Sequence, residues 1–318
     1  MTIDTQPESA IQMHAERWPE VRLDDWLPTY ATLHRWTQIV GKTRLGLAPF
    51  QNHWWHCALY ITTRGLTTSP MPFAGGTVQV ELDFLSHYLI VRTDADESRS
   101  FRLENKSVAD FYHEYCGLLR DLGVRVHIDA APNEIADATP FAEDREHATY
   151  DPHAAHRFFR ALQSADLALK RFRSKFAGKC SPVHFWWGGF DLACTRFSGR
   201  RAPAYTGSVP NCPSSVMTEA YSHECISAGW WPGSPGSPVS EPAFYAYSYP
   251  EPAGCSAVAI APPAARWDLA LREWILPYEA VRSSSDPETA VAAFLESTYQ
   301  AAGSLAGWDM AALRSSRA

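Results

Sequence analysis

Four stretches of the chain carry apolar residues at a spacing of three to four, and each predicts a helix. Thr29 to Leu45 is amphipathic and closes on Lys42 and Arg44. Pro152 to Phe176 closes on Lys170, Arg171, Arg173 and Lys175. Cations at that end complement the negative pole of a helix dipole. A third helix runs through Val108, Phe111, Tyr112, Tyr115, Leu119 and Leu122; Ser107 with Asp110 resembles a capping box before it, and Gly123 ends it. A fourth runs through Val291, Phe294, Leu295, Thr298 and Ala302, with Ser285, Glu288 and Pro287 at its start. Between the first and third helices the pattern shortens to alternation. Thr77 to Arg92 and Ser100 to Leu103 predict strands, as does Val124 to Ile128 after the helix.

These elements echo one another. His53-Trp-Trp-His-Cys-Ala-Leu-Tyr-Ile-Thr-Thr-Arg64 resembles His184-Phe-Trp-Trp-Gly-Gly-Phe-Asp-Leu-Ala-Cys-Thr-Arg196 at an offset of 131 residues, and Val108 to Tyr112 resembles Val291 to Leu295 at an offset of 183. The larger offset puts about fifty extra residues in the second half. The expected fold is therefore α+β, with two related halves that each pair an antiparallel sheet with flanking helices as a pseudo-symmetric internal repeat. The first half spans 18–130 and the second 152–310. The polar, proline-bearing segment 131–151 reads as a linker or crossing arm. An elaborated region covers about 198–263. From Pro203 to Pro263 it holds 11 of the chain's 23 prolines, accompanied by aromatics, and long ordered loops of this kind often carry function.

Composition narrows the function classes. The formal net charge of −7 disfavours a nucleic-acid partner, since phosphate backbones are held by basic surfaces. No apolar run has the length to span a bilayer, and the opening residues lack the pattern of a secretory signal. Seven cysteines with no C-x-x-C spacing fit neither a disulfide scaffold nor a zinc ribbon and suit a reducing compartment, so the expectation is a cytoplasmic protein. The 12 tryptophans include three adjacent pairs, Trp54-Trp55, Trp186-Trp187 and Trp230-Trp231; on a strand such a pair puts bulk on both faces.

The candidate chemistry lies mostly in the second half. Glu219 and His223 are four apart, which on a helix places both on one face. With His184 as a third ligand they make a candidate site for a divalent metal ion, or an acid and base pair in which Glu224 joins. Thr195-Arg-Phe-Ser-Gly-Arg-Arg201 puts Arg196 and Arg200 where they could grip an anionic group. Tyr245 and Tyr247 alternate, share a strand face and, with Trp231, suggest a pocket wall. Several readings compete with these. His223 and Glu224 could bond loop backbone, and His53 and His184 could cap strand starts. Glu81, Asp83 and His87 share a strand face that reads as the solvated side of a sheet. Ser198 and Ser222 lack a G-x-S-x-G elbow.

The strings from His184, Thr195, Glu219 (Glu-Ala-Tyr-Ser-His-Glu), Gly229 (Gly-Trp-Trp-Pro-Gly) and Tyr249 (Tyr-Pro-Glu-Pro) together resemble an uncharacterised bacterial family known only as a domain of unknown function. The resemblance covers nearly all of the chain after about Trp18, implies a bacterial origin and carries no activity, cofactor or catalytic residue with it. The sequence leads to a possible metal-assisted enzyme acting on a small polar or anionic molecule. The alternatives are a non-catalytic small-molecule binding module and a protein-interaction module that uses its Trp-rich loop. Nothing in the pattern fixes the oligomeric state.

Overall fold

The structure, a computed structural model, describes residues 17–316. The first half opens on α1 (Leu27–Leu47), which starts with proline in its first turn and ends beside Arg44. Six strands follow: β1 (Tyr60–Ile61), β2 (Gly65–Thr67), β3 (Met71–Phe73), β4 (Gly76–Asp83), β5 (Tyr88–Thr93) and β6 (Ser98–Arg102). They form an antiparallel sheet in the order β1-β2-β4-β5-β6, with β3 also on β4. Thr77 to Arg92 is thus two strands and a turn. The half closes on α2 (Val108–Asp121), where Ser107 accepts from the Asp110 amide as its sequence predicts. Residues 124–128, expected as a strand, are irregular.

The second half repeats this order of helix, sheet, helix. Asp151 caps α3 (Pro152–Ser174), whose last turn holds Arg171 and Arg173. Next come β7 (His184–Trp186), β8 (Asp191–Arg201), the short α4 (Ser214–Ala220), β9 (His223–Trp231), β10 (Ala243–Tyr249), β11 (Arg266–Asp268) and β12 (Glu273–Pro277). All six strands pair antiparallel in the order β11-β12-β10-β9-β8-β7. The chain ends on α5 (Tyr278–Arg282) and α6 (Pro287–Leu305), the latter capped by Asp286 on the Thr289 amide rather than by Ser285. The expected class, α+β with an antiparallel sheet in each half, is what the chain adopts.

The finer expectation, that His53 and His184 occupy matching positions, does not hold. His184 opens strand β7, whereas His53 and Trp54 sit in a 3-10 turn with φ of 57° and 60°. The halves instead meet edge to edge: Leu59 and Phe185 exchange both backbone hydrogen bonds at 2.9 Å. One apolar core runs through both halves. Trp36 of α1 stacks on Phe111 of α2 at 4.6 Å, and Phe158 of α3 stacks on Phe190 at 5.0 Å beside Trp230 of β9.

Register decides what each face of the second sheet does. Leu192, Cys194 and Arg196 of β8, Ile226, Ala228 and Trp230 of β9, Phe244 and Ala246 of β10 and Trp274 of β12 share one face and are buried against α3 and α6. The period of two puts Asp191, Thr195, Ser227, Tyr245 and Tyr247 on the other face. Among the described residues no long helix covers that face.

Candidate functional site: an acidic, aromatic cleft

The open face of the second sheet forms the floor of a cleft of about 440 Å³. Asp191, Ala193, Thr195, Ser227, Tyr245 and Tyr247 pave it. Trp186 and Trp187 wall one side, His53 to Trp55 another, and α4 a third. Residues 129–134 of the connecting arm close the rim.

Asp191 stands at the end of the β7–β8 hairpin, opposite Trp186. Tyr245 reaches it from two strands away and donates a short hydrogen bond to Oδ2. The ring can cross β9 because Gly229 lies beneath it; any side chain there would collide with the Tyr245 hydroxyl. Burial pushes the Asp191 carboxyl up to about 6 against the lowering pull of the Tyr245 bond.

Glu134 comes from the connecting arm, and α1 holds that arm in place. Gln38 accepts from the Asn133 amide and donates to its carbonyl, both at 2.8 Å, and Lys42 donates to the Ala131 carbonyl at 2.6 Å. His34, one turn earlier, bonds the Gly188 carbonyl at 2.8 Å and so ties the hairpin turn to the same helix. The carboxylate of Glu134 lies against Gly188, where even a methyl group would overlap it. Glu134 is open to solvent through the cleft mouth yet ringed by protein on its other sides. Those surroundings, and the Asp191 charge, push it up to about 7. A third acid, Glu273, shares the floor's face two residues before Ile275, which pairs with Tyr245. Burial, Asp191 and Asp268 push it up to about 8.

The cleft's thiols are quiet. Burial raises Cys57 and Cys225 to about 12 each and also raises Cys212, so none is a ready thiolate.

The residues singled out from sequence are dispersed. Tyr245 and Tyr247 do line the cleft, and the Tyr247 hydroxyl bonds that of Tyr221 at 2.9 Å. Trp231 packs beside Tyr245 against Val239, Ala243 and Ile275. His184, Glu219 and His223 do not converge. His184 is fully buried, with Nε2 3.3 Å from the Tyr60 hydroxyl, and burial next to Arg44 and Arg173 lowers it to about 3, which keeps it neutral. The helix that should have carried Glu219 and His223 together stops at Ala220, so His223 opens β9 instead. Glu219 Oε1 accepts from the His53 amide at 2.8 Å, and His223 Nδ1 lies 3.1 Å from the Ser222 hydroxyl. Among the described residues no group of three or more His, Cys, Asp or Glu side chains is arranged to hold an ion.

Arg196 faces away from the cleft, 1% exposed, with its guanidinium 3.4 Å from the Phe172 ring centre and 4.2 Å from that of Tyr299. Arg200 is exposed, pairs with Glu224 and donates to the Ala306 and Gly307 carbonyls just past α6. Glu224 also accepts from Ser198 at 2.9 Å. Both arginines are thus engaged in packing or capping. In the first sheet β4 ends at Asp83, so His87 lies in the turn and not on the face of Glu81 and Asp83; both acids are buried rather than solvated.

Glu134, Asp191 and Glu273 were not anticipated. The alternation that puts Tyr245 and Tyr247 on one face contains a signal for Asp191 and Glu273 once the strand register is known. For Glu134 no local pattern marks the residue.

Among the described residues no helix is long and apolar enough to cross a membrane. No curated protein and no solved structure matches the chain. A family model matches residues 18–315, nearly the whole of the fold and all of the cleft, and by that match the chain belongs to DUF5996, a family of unknown function.

Proposed function

We propose that the protein is an enzyme that performs acid–base chemistry on a small neutral or cationic polar molecule held in the cleft. One observation carries this reading: two carboxyl groups, Asp191 and Glu134, face the same cavity, and their surroundings push both up toward neutrality. Two neighbouring acids raised toward neutral pH can share the work, one ionised as base while the other keeps its proton as acid. At pH 7 Asp191 is mostly ionised and accepts a proton. Tyr245 occupies its Oδ2, which leaves the other oxygen for the substrate. Glu134 is about half protonated and donates. Glu273 stays largely protonated and adds a hydrogen-bond donor along the same face. The aromatic walls supply stacking surface and exclude water. An anionic substrate is disfavoured, because it would meet this acidic lining while Arg196 and Arg200 are engaged elsewhere.

The test is turnover of a panel of small neutral and cationic compounds (aryl glycosides, esters, amides and amines) at pH 5 to 9. A bell-shaped profile is expected with limbs near the two carboxyl values. Asp191→Asn and Glu134→Gln should each reduce the rate by about a hundredfold or more, and Glu134→Gln should remove the alkaline limb. Binding without turnover, left unchanged by both variants, would overturn the reading in favour of a binding module.

A further inference from the structure

We propose that residues 202–222, the connection from β8 to β9, form a lid whose closure both covers the cleft and sets the position of Glu134. The two ends of this segment are adjacent: Arg201 pairs with His223, and the Ala202 amide donates to the Ser222 carbonyl at 3.1 Å. A base next to the ends is braced by Tyr205, which stacks on Tyr221 at 4.9 Å, and by Tyr249, which bonds the Pro203 carbonyl. Beyond that base the tip carries α4, none of whose residues is buried. A segment with so little buried surface is held by its polar contacts.

The tip's polar contacts with the rest of the protein go to two places on the opposite rim. At the arm, the Glu134 amide donates to the Pro210 carbonyl at 2.9 Å, Asn133 donates to the Asn211 carbonyl, and Asn211 donates to the Ile135 carbonyl at 2.7 Å. At the 3-10 turn, Trp54 Nε1 donates to the Val216 carbonyl at 3.1 Å and the His53 amide donates to Glu219 at 2.8 Å. Four of the nine non-glycine residues with positive φ among the described residues sit on this seam: His53, Trp54, Glu134 and Asn211. Left-handed backbone is unfavourable for such residues and persists only where surrounding contacts hold it. At Trp54 and Glu134, which adopt it less readily than His53 or Asn211, the seam contacts hold backbone that would relax if the lid opened. Release at Pro210 also frees the Glu134 amide, while Gln38 still holds Asn133 next to it, so access to the cleft and placement of its acid change together.

The purpose of the lid rests on the cleft being the site proposed above, but its motion does not, so the test is made on the full chain without ligand. Amide hydrogen exchange is followed by mass spectrometry, together with alkylation of the lid's own Cys212 by iodoacetamide. The tip, residues 207–220, should exchange much faster than β8 and β9. Glu219→Ala should speed both the tip's exchange and the alkylation of Cys212 by about tenfold through loss of one charge-assisted bond, with the strands unchanged. Trp54→Phe, which keeps the ring and removes one donor, should do the same to a smaller extent and serves if the first variant does not fold. A tip as protected as β9, or variants that leave both rates unchanged, would overturn the proposal. A moving lid over a cleft with no turnover would overturn only the function proposed above.

Discussion

Acidic residues at the two antiparallel six-stranded sheets lose part of their hydration, with opposite results. In the first, Asp83 accepts from the Leu85 and Ser86 amides at 2.8 and 2.9 Å and from Arg64 at 2.7 Å. Burial pushes its carboxyl up, but the Ser86 and Leu85 amides and the Arg64 guanidinium outweigh that, and it ends below the usual range. Glu81 beside it bonds Thr62 and Arg92. On the second sheet Asp191 has one phenol, and Glu273 on the sheet and Glu134 on the arm beside it each face another acid. Burial wins there, and all three carboxyls rise. An acid that serves the fold is surrounded by donors that favour its charge. One whose charge is left uncompensated costs stability when ionised, and under the function proposed above that cost is tied to its work in the cleft.

The largest expected effect follows directly. Asp83→Asn removes a charge that three donors were arranged around and should cost about 2–4 kcal/mol in urea unfolding at pH 7. Asp191→Asn removes an uncompensated charge and should cost less than about 1 kcal/mol or stabilise. Equal losses in the two variants would erase the distinction between the sheets.

The pH dependence sharpens it. Glu134, Asp191 and Glu273 have folded values above the ordinary carboxylate range, so the folded state binds more protons than the unfolded one. The stability they add is present in full below about pH 4 and is lost as pH rises through about 6 to about 8. Asp83, shifted the other way, adds stability above the ordinary range that is lost as pH falls through its lowered value. Melting temperature should therefore peak on the acidic side of neutral and decline toward pH 9. Solvent screening keeps the decline to roughly 1–2 kcal/mol, or a few degrees. Glu273→Gln should flatten it. A curve that rises between pH 6 and 9, or a variant with the same slope, would contradict the assignment.

The comparison also explains what the sequence could convey. Helix periodicity and caps are local, so the four main helices and the α+β class were legible from apolar spacing and from Ser107 or Pro152. The shared face of Tyr245 and Tyr247 was legible for the same reason. Arg196 was misjudged although its neighbours held the answer: the period of two sets it with Leu192 and Cys194, the helix-packed side. Glu219 and His223 failed because a helix boundary between them cannot be read to within two residues. Glu134 could not have been found locally. Its place in the cleft depends on a glycine 54 positions away and on the grip of Gln38 and Lys42 on the arm that carries it.

The smallest expected effect on stability tests the cleft most directly. Gly188 lies where a methyl group would overlap the Glu134 carboxylate, and the atoms in the way are the far end of a flexible side chain rather than backbone. Gly188 is buried, but its backbone is not left-handed and the only close atoms are those of the Glu134 side chain, so Gly188→Ala should leave the fold alone, with a melting temperature within about 2 °C of the parent. The displaced carboxyl must turn toward solvent, away from Asp191 and the surroundings that desolvate it. Its titration, followed by carbon NMR of labelled glutamate, should fall from about 7 toward the ordinary value near 4.3. Asp83 in the other sheet should not move. A large loss of stability would mean that Gly188 serves the backbone of the hairpin. An unchanged Glu134 titration in a folded variant would mean that the carboxyl does not rest against the turn, and the acid pair of the cleft would then lack its second member.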